Sequence, residues 1–100
     1  MIRIVKLTFT PEHLTLFLAH FDTVKQIVNN FEGCNGMQML QDIQNPTICF
    51  TYSDWNEEAD LERYRKSEAF NEIWNTIKPW FGAKAEAWST MSKFNGFLDK

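Results

Sequence analysis

Neither sign of charge dominates this chain: ten lysines and arginines against thirteen aspartates and glutamates leave a formal net charge of -3, with the basic residues scattered. A basic stripe is therefore missing, and nucleic acid is not an expected partner. Long hydrophobic runs are missing too. No stretch approaches the roughly 20 apolar residues that span a bilayer, and Arg3 and Lys6 interrupt the apolar start, so neither a signal peptide nor a membrane anchor is expected. Cysteine is scarce. If Asn45 and Pro46 turn a hairpin, Cys49 falls opposite about residue 42 and Cys34 lies eight positions further out, about 25 Å along the strand, beyond the reach of a disulfide. Two free thiols suit a reducing compartment, which makes the cytoplasm the expected location, and two such separated cysteines form no metal site. A phosphate loop, a nucleophile elbow and paired carboxylates are likewise absent, which removes nucleotide-binding and hydrolase readings.

What is present is apolar and aromatic: 44% hydrophobic and 15% aromatic residues in 100. That length fits one domain, residues 1–100, with enough apolar matter for a core without staples. Ile2 to Thr10 alternates as a strand, with Arg3, Val5, Leu7 and Phe9 on one face. Thr10-Pro11-Glu12 predicts a helix start capped by the threonine hydroxyl, and the stripe Leu14, Phe17, Leu18, Phe21, Val24, Val28 carries that helix to about Asn30. Gly33 and Gly36 let the chain turn back. Met37 to Ile43 and Thr47 to Trp55 then read as a hairpin. Asn56-Glu57-Glu58 opens a second helix that breaks at Ser67 and restarts at Ser67-Glu68. Its apolar stripe Phe70, Ile73, Trp74, Ile77 ends before Pro79 and Gly82. Ala83 to Ser92 alternates as a last strand.

The order β-α-β-β-α-β, with no repeat and no linker, predicts an α+β split βαβ fold of the ferredoxin-like type. Right-handed crossovers set the first and third strands side by side in a four-stranded antiparallel sheet, with both helical segments on one face. The other face also carries apolar residues and needs a cover, most economically a second copy of the chain.

At this point the sequence resembles the antibiotic biosynthesis monooxygenase-like domains of the dimeric α+β barrel superfamily. The resemblance rests on Phe31-Glu32-Gly33-Cys34-Asn35-Gly36 before the second strand, Asn45-Pro46 at the hairpin, Trp55 ending the third strand and Ser67-Glu68-Ala69-Phe70 in the split helix. It implies a homodimer whose sheets close into a barrel, with a pocket between each sheet and its own helices. It implies chemistry of two kinds. Some members oxygenate phenolic polyketides with no cofactor, the substrate carbanion itself passing an electron to dioxygen. Haem-degrading relatives instead use a histidine, an asparagine and a tryptophan, at whose places this chain has Trp74, Val5 and Tyr64; all three differ, which argues against haem degradation.

The resemblance places Tyr64 where many members carry a pocket-facing histidine, as donor to a substrate oxygen or, at an ordinary pKa near 10, a less ready base. Tyr52, Trp55, Phe70, Trp74 and Trp88 are the expected walls for a small apolar or aromatic guest, in company with Trp80, since aromatic walls suit flat ligands. His13 and His20, seven apart on the first helix, stand about 10 Å apart and are expected on its solvent flank. The run Glu62 to Lys66 reads as a solvated helix face, with Arg63 or Arg65 placed to rim a pocket mouth. The two function classes that remain are a cofactor-independent monooxygenase of a phenolic or quinone-like compound and a non-catalytic dimeric small-molecule-binding domain. Sedimentation at micromolar concentration is expected to show a dimer; a stable 11.8 kDa monomer would leave the second sheet face without a cover.

Overall fold

The computed structural model describes residues 1–100, and its first strand, β1, runs Ile2–Thr8. Phe9 continues only as an isolated bridge to Phe81, with the Gly82 amide donating to the Thr8 carbonyl at 2.8 Å and the Thr10 amide to the Trp80 carbonyl at 3.0 Å. This tie pins the end of β1 to the segment that leaves the last helix. Pro11–His13 forms a single 3-10 turn, after which helix α1 spans Leu14–Asn29. The expected threonine cap does not form. Thr10 Oγ1 lies 2.7 Å from His13 Nδ1, so the imidazole takes the hydroxyl that would have capped a backbone amide.

Strand β2 covers Cys34–Gln41 and β3 covers Ile48–Trp55, a hairpin that begins three residues earlier than the alternation of its apolar residues suggests. The early start is made possible by a bulge between Cys34 and Gly36, where Gly36 takes φ +132. Helix α2, Glu58–Arg65, starts with the Glu57 amide donating to the Asp60 carboxylate at 3.1 Å. Ser67 then both ends and restarts the helix: its hydroxyl donates to the Tyr64 carbonyl at 2.6 Å and accepts from the Phe70 amide at 3.1 Å, opening α3 over Glu68–Ile77. Pro79 sits in a closing 3-10 turn, and β4 is confined to Glu86–Thr90.

The strand order is β2-β3-β1-β4, all antiparallel, so the first and third strands are neighbours as the crossover rule requires. This is the α+β ferredoxin-like arrangement, and within one chain the sheet is open. Cys49 pairs with Gln41, one position from the expected register, and both cysteines are free.

Register assigns each side chain its face, because alternate residues of a strand point opposite ways. On the helix side, three cross-strand rows succeed one another: Ser53-Arg3-Ser89, Thr51-Val5-Ala87 and Cys49-Leu7. Large side chains close both ends of this face. Leu7, Phe9, Phe17, Cys49 and Ile77 form one buried cluster; Trp55, Leu61 and Tyr64 form another, against Met1, Phe31 and Phe70. The opposite face is uncovered. There Ile4 lies between Tyr52 and Trp88, and Phe50 between Leu40 and Lys6; Leu40, Tyr52 and Trp88 are exposed.

Gly33 holds φ +89, and a Cβ there would run into the Asp60 side chain that starts α2, whereas a Cβ on Gly36 meets nothing closer than 3.7 Å. Gly33→Ala is therefore expected to lower unfolding free energy by about 1–3 kcal/mol, and by more than Gly36→Ala. Equal midpoint shifts in urea would show that the Asp60 contact has no weight.

Candidate functional site

Between the two clusters the inner face of the sheet is built from small side chains, and the helices do not close onto it. The result is a cavity of about 360 Å³. Its floor is Val5, Thr51, Ser53, Ala85 and Ala87; its roof is Phe17, His20, Phe21 and Val24 of α1 with Phe70, Ile73 and Trp74 of α3. Trp55, Leu61 and Tyr64 stand at one end, beside Arg3 and Arg65, and Leu7 and Ile77 at the other. The volume falls at the small end of the roughly 300–1,000 Å³ typical of ligand cavities. A cavity of about 150 Å³ has held benzene elsewhere, so this one suits two or three fused rings.

An unbroken chain of aromatic contacts frames the space. Phe31 meets Trp55 and Tyr64, Trp55 stacks on Tyr64 with centroids 5.5 Å apart, and Tyr64 meets the edge of Phe70 at 5.2 Å. Phe70 stacks on Trp74 at 5.8 Å, Trp74 meets Phe81, Phe81 meets Phe9, and Phe9 stacks on Phe17 at 4.0 Å. Such contacts fix ring orientation as well as bury area.

Polar groups in this frame are few. Tyr64 is buried, and its hydroxyl makes no hydrogen bond within the chain. Burial pushes its pKa up to about 12, with a smaller push from Cys34. A phenol so shifted is a hydrogen-bond donor and a poor source of a base. His20 also lines the cavity, with an enclosed Nε2 that has no partner; its ring meets Trp80 edge-on at 5.9 Å. The buried Ser53 hydroxyl accepts from the Trp55 indole at 2.9 Å, which fixes that ring. Arg3 donates to the Ser89 hydroxyl at 3.0 Å. No three His, Cys, Asp or Glu side chains converge as metal ligands.

The structure thus gathers Tyr64, Trp55, Phe70 and Trp74 around one space and leaves Tyr52 and Trp88 elsewhere. Both of the latter lie on the opposite face of the sheet, so neither can touch a molecule held in this cavity. Parity is the reason. Trp55 and Tyr52 are three positions apart on one strand and cannot share a face, and Trp88 is out of phase with Ala85 and Ala87. Trp80 packs against the buried cluster without lining the cavity. His20 is the residue that sequence reasoning put on the wrong side. Its signal was available, since it follows Phe17 by three and precedes Val24 by four, the step that keeps residues on one helix face. His13 is also half-buried, bonded to Thr10 and stacked 6.5 Å from Trp80.

A helical layer over one face of an open antiparallel sheet, with an aromatic-walled cavity between them, defines a small-molecule-binding α+β class. Residues 1–75 match the family model described as antibiotic biosynthesis monooxygenase, and the chain belongs to that family. Among solved structures it is similar to a conserved protein from Methanosarcina mazei, with 25% identity over 86% of each chain and a TM-score of 0.79. It also matches a candidate antibiotic biosynthesis monooxygenase from Nitrosomonas europaea (13% identity, 93% of this chain and 98% of that one, TM-score 0.85) and another from Bacteroides thetaiotaomicron (13%, 96% and 91%, 0.82). At the lower identities the likeness is one of fold. No curated protein matches the sequence.

The raised Tyr64 pKa has a sign. The phenol holds its proton in the folded chain beyond the point at which an unfolded tyrosine loses it, near pH 10. Its contribution is therefore whole below pH 10 and is lost as pH rises toward about 12. Stability is expected to fall across that window by a component on the order of 2 kcal/mol, and urea titrations of a Tyr64→Phe variant should lack that component.

Proposed function

We propose that the cavity takes a small phenolic or quinone-like aromatic compound and oxygenates it without metal or flavin. The observation that carries this reading is a mostly apolar, aromatic-walled space lined by two residues able to hold or move a proton, Tyr64 and His20. His20 is the candidate base, taking a proton from an activated ring carbon or hydroxyl. Tyr64 donates to the substrate oxygen on which negative charge then develops. For a methylene of the anthrone type, the carbanion gives an electron to dioxygen and recombination forms a C–O bond. Loss of water from the hydroperoxide leaves a ketone, so that CH2 and O2 become C=O and H2O. Phe70 and Trp74 hold the flat body of the molecule, and the almost fully buried Trp55 backs the Tyr64 ring.

The remaining expectations stand with this proposal. Residues 1–100 read as one domain, and Leu40, Tyr52 and Trp88, exposed on the uncovered face, support a second copy stacked sheet to sheet, which would close the barrel. The two free thiols support a reducing compartment such as the cytoplasm. No helix is long and apolar enough to cross a membrane.

Dioxygen uptake by metal-stripped protein against anthrones, hydroquinones and catechols tests the reading. Uptake above the spontaneous rate is expected, reduced about 10- to 1,000-fold in His20→Gln and in Tyr64→Phe. No uptake with any of them, together with tight binding of the same compounds, would favour a non-catalytic binding domain.

A further inference from the structure

The cavity is not polar evenly; its polarity is gathered at one end. Along the inner face of β1 the floor changes from the row Ser53-Arg3-Ser89 to Thr51-Val5-Ala87 and then to Cys49-Leu7. Arg65, from the last turn of α2, lines the cavity with Arg3. Of the three arginines in the chain, Arg63 is ion-paired to Asp60 and Arg65 to Glu62, each at 2.9 Å. Arg3 has no carboxylate partner and donates only to a serine hydroxyl. Two guanidiniums therefore share this end with one carboxylate, Glu62, and a positive charge is left over.

That arrangement costs free energy in the empty protein. Partial burial works against the charge of Arg3, Arg65 works against it further, and Glu62 offsets only part of the effect. A half-buried guanidinium with most of its five donors unused is suited to a planar anion that accepts two of them at once.

We propose that the ligand of this cavity is an aromatic acid, its ring system against Phe70 and Trp74 and its carboxylate against Arg3 and Arg65. The inference rests on the reading of the cavity as a site for flat aromatic molecules and adds the head group to it. Orientation follows. With the carboxylate at Arg3, the ring extends along Val5, Thr51 and Ala87 beneath α1 and α3, the part of the cavity that His20 lines.

Isothermal titration of the full chain with 2-naphthoate and with its neutral counterpart 2-naphthamide distinguishes recognition of the carboxylate from recognition of the ring. The wild-type chain is expected to bind naphthoate at least about ten-fold more tightly, the lower range for a charge-assisted hydrogen bond. Arg3→Met should weaken naphthoate more than naphthamide and narrow the gap between them, and the Arg3→Met/Arg65→Met double variant should bring the two within about two-fold of each other. Arg65→Met, at a helix position whose side chain is 45% exposed, should weaken the preference and serves if Arg3→Met fails to fold. Equal affinities in the wild-type chain would overturn the head-group assignment and leave the aromatic site standing. A preference that survives in the Arg3→Met/Arg65→Met double variant would overturn it as well. Binding of neither molecule would remove the aromatic site and the acid with it.

Discussion

The structure depends on helices being held away from a sheet. Aromatic and branched side chains fill the gap at the two ends, around Phe9 and Phe17 and around Trp55 and Tyr64, while valine, threonine, serine and alanine occupy the sheet between them. Helices are stiff, so large side chains at the ends set the spacing everywhere. The small residues in the middle cannot reach across it. A closed, dry void of about 360 Å³ would cost about 9 kcal/mol at about 24 cal/mol per Å³, close to the entire stability of a domain this size. The space is instead open at its mouth, so that cost does not fall on it.

The break between α2 and α3 serves the same end. Ser67 terminates one helix at Tyr64 and caps the next at Phe70, using a single hydroxyl for both bonds. The two rings consequently meet edge to face at one corner of the cavity. A continuous helix would have carried residues 64 and 70 to different sides, since six positions turn through about 600°, about 120° short of two full turns. The split places a phenol with no internal partner against the ligand space, and burial keeps it protonated. At the same corner Arg65 faces Arg3, so charge and hydrogen-bond donors are concentrated there while the Leu7 end stays apolar.

The two faces of the sheet divide the aromatic residues by use. Trp55 faces the helices and is almost fully buried at 1% exposure, whereas Tyr52 and Trp88 flank Ile4 on the uncovered face. The uncovered face mixes Ile4, Leu40, Phe50, Tyr52 and Trp88 with polar Gln38, Asp54 and Thr90 and with a Lys6 to Glu86 ion pair at 3.8 Å, which at a surface contributes little. Those two aromatics therefore lie outside the cavity and do not bear on its contents.

The sequence by itself determined the order of elements, the pairing of the first strand with the third, the helix break at Ser67 and the separation of the two thiols. These follow from short-range rules: alternation of period two, apolar steps of three and four, and capping chemistry at fixed offsets. It also carried Trp55, Phe70, Trp74 and Tyr64 to their places, because helix stripes and the strand end are local features. Tertiary structure decided the rest. Whether a tryptophan is wall or surface depends on registry against a neighbouring strand, which put Trp88 outside. Whether a histidine on a helix flank meets solvent depends on what packs beside that flank, and Trp80 from a distant segment encloses His20. The meeting of Arg3 with Arg65 joins residues sixty-two positions apart in sequence, a relation that no local pattern encodes and that only the closing of α2 over β1 creates.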